Sequence, residues 1–149
     1  NPKPVQRPLP IIIGGSGEKH LLRVVAEVAD GWNCPASNAA GYDRKLSVLK
    51  SHCEAAGRDI SEIEISEQTV CVIVKDKVEL REKLPKAQKR YRFFGDIEKT
   101  GIVGMPEECI ERIKKKTENG VSKFTIFFSD IMSPDTLRFF ANEVMSAFQ

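Results

Sequence analysis

Three closely spaced glycines mark the segment of this 149-residue chain whose residue types are best suited to chemistry. The apolar run Ile11–Ile13 leads directly into Gly14-Gly15-Ser16-Gly17-Glu18, and helical periodicity follows. Glycines permit a tight turn and a close approach of ligand to backbone. The free N–H groups and the dipole of a following helix favour an anion. The segment therefore predicts a phosphate site at Gly14–Glu18, and a plain tight turn between strand and helix is the alternative.

The spacing of these glycines excludes two familiar phosphate-binding motifs. The P-loop pattern GxxxxGK[ST] does not occur in the chain. Gly15-x-Gly17 is followed by His20 at the position where a dinucleotide fingerprint needs its third glycine. The glycine spacing alone therefore does not identify the class of ligand.

The histidines and cysteines predict neither a metal site nor a catalytic pair. Adjacent helical residues point apart, so His52 and Cys53 do not form a nucleophile and its base. His20 is predicted to face solvent. No CxxC spacing occurs, which argues against zinc and favours buried thiols in a reducing compartment. The four cysteines are Cys34, Cys53, Cys71 and Cys109.

Each of two further segments is compatible with two interpretations. Trp32-Asn33 follows a predicted strand, where it either lines a pocket or packs in the core. Between Lys75 and Arg92 the chain carries eight basic and three acidic residues. A solvated helix is the first interpretation of that run. The second is a surface that binds the anionic tail of a substrate.

Composition excludes several classes of protein. The chain is 41% hydrophobic and 30% charged, which is typical of a globular protein with one core. No apolar run approaches the roughly 20 residues of a membrane span, and the first residues lack a signal-peptide layout. With 23 basic and 21 acidic residues, no nucleic-acid partner is expected. We expect a cytoplasmic protein.

Strands and helices are predicted to alternate along the chain, as βα units do. Apolar runs predict four strands, at Ile11–Ile13, Gly31–Pro35, Ile63–Val74 and Phe124–Phe128. The first helix is predicted to bury Leu21, Val24, Val25 and Val28. The last helix is predicted to bury Leu137, Phe140, Ala141, Val144, Met145 and Phe148. Repeated βα units predict an α/β fold with a parallel sheet, in a single domain over residues 1–149.

Ordered segments of the chain resemble the luciferase-like monooxygenase superfamily of flavin- and deazaflavin-dependent oxidoreductases. The most specific is Pro4-x-Gln6-x-Pro8-x-Pro10-Ile-Ile-Ile-Gly14-Gly15-Ser16-Gly17, which continues into Ala26-x-x-Ala29-Asp30-Gly31-Trp32-Asn33. Weaker segments follow in the expected order, at Gly57–Ser66, Gly104–Ile113, Gly120–Phe124 and Phe140–Val144. The resemblance extends over the whole chain.

The resemblance implies the C-terminal half of a (β/α)8 TIM barrel, built from four βα units. It implies an oxidoreductase or monooxygenase that transfers hydride between coenzyme F420, or alternatively FMN, and a small organic substrate. The cofactor contacts carried over are Gly14, Gly15, Ser16, Gly17 and Glu18. Catalytic residues stay unknown, because family members place many of them in the other half of the barrel. A non-catalytic half-barrel that binds a ligand or associates with a partner is the alternative.

A half-barrel has two open strand edges and an uncovered inner face. The edges are predicted at Ile11–Ile13 and Phe124–Phe128, and the uncovered side chains include those of Val70–Val74. Unpaired edges and large apolar patches favour association. We therefore expect a homodimer, or pairing with an N-terminal half-barrel.

Overall fold

The computed structural model describes residues 2–38, 41–130 and 133–149. Its strands are β1 (Ile12–Gly14), β2 (Gly31–Pro35), β3 (Glu64–Ile73), β4 (Ile102–Gly104) and β5 (Lys123–Phe128). Its α-helices are α1 (Leu21–Val28), α2 (Tyr42–Ala56), α3 (Lys77–Arg90), α4 (Ile97–Thr100), α5 (Pro106–Glu118) and α6 (Pro134–Glu143). No helix in the described ranges is long and apolar enough to cross a membrane.

All strand pairs are parallel, and β3 lies at the centre of the sheet. Alternate residues of a strand bond to opposite neighbours. Glu64 and Val74 donate N–H groups towards β2 and β4, whereas the carbonyls of Ile65 and Cys71 accept bonds from the β5 side. The order across the sheet is therefore β1, β2, β3, β5. β4 pairs with the carboxyl-terminal part of β3, along the same edge of β3 that β2 occupies further down. This confirms the predicted α/β half-barrel architecture.

Two short elements were not predicted. They are β4, with three residues, and α4, with four. Neither is long enough to show a hydrophobic period, which is the signal that reveals strands and helices in a sequence. Both occur in the long connection between the third and fourth predicted strands, after the helix predicted for the basic segment.

The strand predicted at Ile11–Ile13 forms an edge of the sheet, as expected, but it is half exposed and not buried. The strand begins at Ile12, and both Ile11 and Ile12 expose about half of their side chains. Only Ile13 packs against the core. β1 pairs with β2 alone, so its other edge has no partner strand among the described residues.

The buried face of α1 differs by one residue from the prediction. Leu22, Val25, Ala26 and Ala29 are fully buried, and Leu21 only packs at the margin of the core. Val24 and Val28, predicted to be buried, are exposed. Both sets follow the same spacing, so the period alone cannot distinguish them.

The predicted uncovered side chains of Val70–Val74 are in fact buried. Val70, Val72 and Val74 pack under α3 and the turn after it, against Ala87 and Phe94. The chain therefore covers the upper part of its own inner face with the insertion that follows β3. This corrects the expectation that these valines need a partner.

The lower part of the same sheet face is polar. Asn33 Nδ2 donates to Ser66 Oγ at 2.9 Å, and Lys123 Nζ lies 3.0 Å from a Glu64 carboxylate oxygen. The interior of a closed TIM barrel is usually dominated by branched apolar residues. The inner face of this sheet thus supplies little of the apolar surface that was expected to drive association.

The apolar stripe of the last helix is buried only in part. Phe140 and Val144 are buried, whereas Ala141, Leu137, Met145 and Phe148 are exposed. Leu137, Met145 and Phe148 border a groove of about 670 Å³ on the outer face of β5, which is lined also by Phe124, Ile126 and Phe128. The stripe remains open because β5 is an edge strand, with no further element beyond it in the described chain.

Candidate functional site

The glycine segment forms a loop at the carboxyl end of β1, and Gly15 sets its shape. Gly15 has a φ of +131°, which side-chain-bearing residues rarely adopt. Its N–H donates to the Asn33 carbonyl at 3.0 Å. An added Cβ would lie 2.7 Å from Leu21 Cδ1. In barrel enzymes the carboxyl ends of the strands form the active-site face.

Trp32 holds this loop from inside the core. Its Nε1–H donates to the Gly15 carbonyl at 2.7 Å, and the indole is completely buried. The ring stacks on Tyr42 with centroids 5.9 Å apart and an interplanar angle of 11°. Of the two interpretations of Trp32, packing is therefore correct, with a positioning role that the sequence did not reveal.

A second anchor holds the far end of the loop. His52 Nε2 lies 3.1 Å from the Glu18 carbonyl oxygen, so the imidazole donates to the loop backbone. The Glu18 carboxylate pairs with Arg44 at 3.0 Å. Cys53 is buried elsewhere, and burial raises the pKa of its thiol. His52 and Cys53 are not a catalytic pair, as predicted.

The N–H groups of the loop point to no protein acceptor. Among the described residues, none accepts a hydrogen bond from the N–H of Ser16, Gly17 or Glu18. The helix begins at Leu21 after an intervening turn, not directly after Gly17 as expected. His20 is exposed and provides no side-chain cap. The loop therefore presents backbone N–H groups that no described residue accepts.

The basic segment lies near the same end of the sheet. It forms α3, whose apolar residues cover the valines of β3. Lys83, Lys86 and Arg90 border a groove of about 420 Å³ together with Ser129 and Asp130, which follow β5. Parallel strands place the end of β5 and the end of β1 on one face. The helix thus has a buried side and a cationic side that borders the carboxyl face.

The cysteines are inert structural side chains. All four are buried and none forms a disulfide. Burial raises the pKa of the Cys34 thiol to about 11. Within the described part of the chain, no group of three His, Cys, Asp or Glu side chains could hold a metal ion.

The fold and this loop define a parallel α/β half-barrel with a glycine turn on its carboxyl face. A family model for luciferase-like monooxygenase matches residues 1–95. That match covers more than half of the chain, and the protein belongs to the luciferase-like monooxygenase family. The resemblance seen in the sequence is thereby confirmed.

Solved structures of similar fold include enzymes that use either deazaflavin or flavin. Coenzyme F420-dependent tetrahydromethanopterin reductase from Methanopyrus kandleri superposes with a TM-score of 0.71 at 19% identity, over 95% of this chain and 51% of its own. An F420-dependent secondary alcohol dehydrogenase, in complex with an F420-acetone adduct, gives 0.76 at 16% identity, over 97% and 50%. Riboflavin lyase with modified FMN gives 0.66 at 12% identity, over 92% and 42%. The chain spans about half the length of these proteins or less, and the identities establish the fold alone.

Proposed function

We propose that this chain forms the phosphate-binding side of a cofactor site in an F420-dependent oxidoreductase, with FMN as the alternative cofactor. The cofactor ring supplies hydride transfer to or from a small organic substrate when bound. The observation that carries the proposal is the row of unengaged N–H groups at Ser16–Glu18. Family membership adds support, because solved structures of similar fold contain F420 or modified FMN.

Each residue of the loop has a defined part in this proposal. The N–H groups of Ser16 and Gly17 donate to phosphate oxygens, and the Ser16 hydroxyl is a further donor. A Cβ added at Gly14 or Gly17 would meet protein atoms at ordinary van der Waals distances, 3.8 and 3.6 Å, and its absence allows a ligand to approach the backbone. Arg44 neutralises the Glu18 carboxylate, so Glu18 contributes its N–H without repelling the phosphate.

The cationic groove beside α3 supports an anionic substrate. Lys86 and Arg90 present two positive charges at the carboxyl end of β5, opposed by Asp130, while Lys83 at the same groove pairs with Glu79 at 2.7 Å. Such a groove attracts an anionic tail and raises its local concentration. The groups that act on the substrate carbon are proposed to lie on a complementary half-barrel.

Gly17 provides a sharper test of the cofactor site than Gly15. An added Cβ at Gly15 would approach Leu21 at 2.7 Å, so any substitution there also disturbs the loop itself. At Gly17 the nearest atom is Leu21 Cβ at 3.6 Å, and φ is not positive. Gly17→Val is expected to lower F420 affinity about tenfold or more by blocking close approach, whereas Gly17→Ala keeps most of it.

F420 fluorescence titration measures this affinity, with FMN titrated in parallel. The chain alone is expected to bind weakly and to turn over little or no substrate, and a complementary N-terminal half-barrel should restore both. Equal affinity for F420 in wild type and Gly17→Val would show that the loop is only a turn. Robust steady-state turnover by the 149-residue chain alone would contradict the need for a second half.

We also propose that a second half-barrel, from another copy of this chain or from an N-terminal half, pairs with the open edges. The support is the apolar groove of about 670 Å³ outside β5, which adjoins one of those edges. A non-catalytic association module is the alternative function that the groove favours. Light scattering over a dilution series tests this at low and high salt. Association that persists at high salt is expected, and a folded monomer at micromolar concentration in both salts would contradict it.

A further inference from the structure

A pocket of about 210 Å³ lies on the outer side of the sheet, where α2, α4 and α5 meet. Its lining includes Tyr42, Glu67, Lys99, Lys115 and Lys116. Unlike the glycine loop, it occupies neither the carboxyl face nor an open strand edge. Its polar groups therefore need an explanation that the proposed cofactor site does not provide.

The cations nearest the pocket floor are already satisfied by the protein. Lys116 Nζ lies 2.7 Å from a carboxylate oxygen of Glu67 and 2.9 Å from the Thr100 carbonyl. Arg112 Nη1 donates to the carbonyls of Glu98 and Gly101, at 2.8 and 3.1 Å. These bonds neutralise the buried carboxylate and hold the end of α4.

The polar groups left over in the pocket are mainly hydrogen-bond donors. Tyr42 is only 7% exposed, and its buried hydroxyl has no hydrogen-bond partner among the described residues. Burial raises the pKa of this phenol far above its usual value, so it stays a protonated donor. Lys115 and the Asn119 amide also donate to no described residue, and Lys99 is held only by exposed Asp96.

A buried donor without an acceptor is costly, which is why such groups are rare in folded proteins. A tetrahedral oxyanion supplies several acceptors at once, and the surplus of lysine over carboxylate in this pocket favours negative charge. We propose that the pocket binds a phosphate group, either as inorganic phosphate or as the phosphate of a small monoester. Tyr42 donates from the floor, and Lys115 and Lys99 close the site from the rim.

Isothermal titration of the full chain with inorganic phosphate, against chloride at equal ionic strength, tests this site. Tyr42→Phe is expected to weaken binding about tenfold, since a hydrogen bond to a charged group is lost. Lys115→Ala is expected to weaken it about two- to fivefold, as for an exposed charge. Lys114→Ala, an exposed lysine on the same helix outside the pocket, is the matched control and should leave binding unchanged.

The thermal stability of Tyr42→Phe distinguishes a ligand-binding role of the hydroxyl from a structural role. In chloride buffer Tyr42→Phe should melt at the same temperature as the wild type or higher, because it removes an unpartnered buried hydroxyl. A marked fall in its melting temperature would overturn the proposal, because the hydroxyl would then have a protein partner. Equal loss of binding in Lys114→Ala, or none in Tyr42→Phe, would also overturn it.

A second titration identifies the source of the phosphate. Glycerol 3-phosphate that binds more tightly than inorganic phosphate would support a phosphorylated metabolite as the ligand. Equal affinities would support recognition of the oxyanion alone. Absence of binding by both at millimolar concentration would overturn the site.

Discussion

The first and last βα units of the sheet have the same arrangement of elements but differ in which groups they leave exposed. Each has an edge strand, a loop at the carboxyl end and a helix outside. In the first unit, α1 buries Leu22, Val25 and Ala26, while Ile11 and Ile12 stay half exposed. Its loop leaves backbone N–H groups without a described acceptor. In the last unit, α6 and the turn after it leave Leu137, Met145 and Phe148 exposed beside β5.

The difference indicates what each edge is suited to contact. Unengaged N–H groups on an anchored loop are complementary to a small anion. Exposed apolar side chains around a groove are complementary to another protein surface. We therefore expect the first edge to bind a ligand and the last edge to contact a partner, although both are edges of the same sheet.

Removing the anchor of the first unit should have the largest effect. Trp32→Ala deletes a fully buried indole and the bond to the Gly15 carbonyl, so we expect about 3–5 kcal/mol less stability towards urea. Trp32→Phe keeps most of the packing and should cost much less while still freeing the loop. Similar losses in both variants would mean that the indole N–H, not packing, dominates.

The conformation of the loop should matter more than its glycine content. Gly15→Ala forces a side chain into a φ of +131°, and we expect a loss of about 1–3 kcal/mol in unfolding free energy. Gly17→Ala is the matched control and should stay within about 0.5 kcal/mol of the wild type. If urea unfolding shows equal costs, the special geometry at Gly15 is not what holds the loop.

A charged substitution on each unit tests whether the two edges differ in their contribution to association. Leu137→Glu puts a carboxylate beside the β5 groove and should weaken self-association or half-barrel pairing about tenfold. Val28→Glu introduces the same charge at a comparably exposed position on α1 and should leave association unchanged. Light scattering or sedimentation measures both. Equal effects would show that net charge, and not the groove, controls association.

Much of the fold was predictable because its signals are local. The glycines after Ile13 and the apolar run within Ile63–Val74 each reflect a preference of a few adjacent residues. The structure confirms the helix predicted for the basic segment, as α3, and the strand predicted at Ile63–Val74, as β3. The glycine loop was likewise located, although its role in binding phosphate stays a prediction.

The anchors of that loop were not predictable in the same way. Trp32 is 17 positions from Gly15 and His52 is 34 from Glu18, and no local pattern links residues at such separations. A lone tryptophan at the end of a strand was compatible with both packing and a pocket wall. Only its burial and its bond to Gly15 distinguish them.

The sequence by itself determined the order of the main elements, the parallel α/β class and the place of the glycine loop, because periodicity and turn chemistry act over a few residues. The half-barrel followed from the resemblance to a known family. The tertiary structure alone decided which side of α1 is buried, since a helical period is unchanged by a shift of one residue. It also decided that α3 covers Val70, Val72 and Val74, and that Tyr42 lies buried beside a cationic pocket. Those outcomes depend on contacts between residues that are far apart in the sequence, and such contacts exist only in the folded chain.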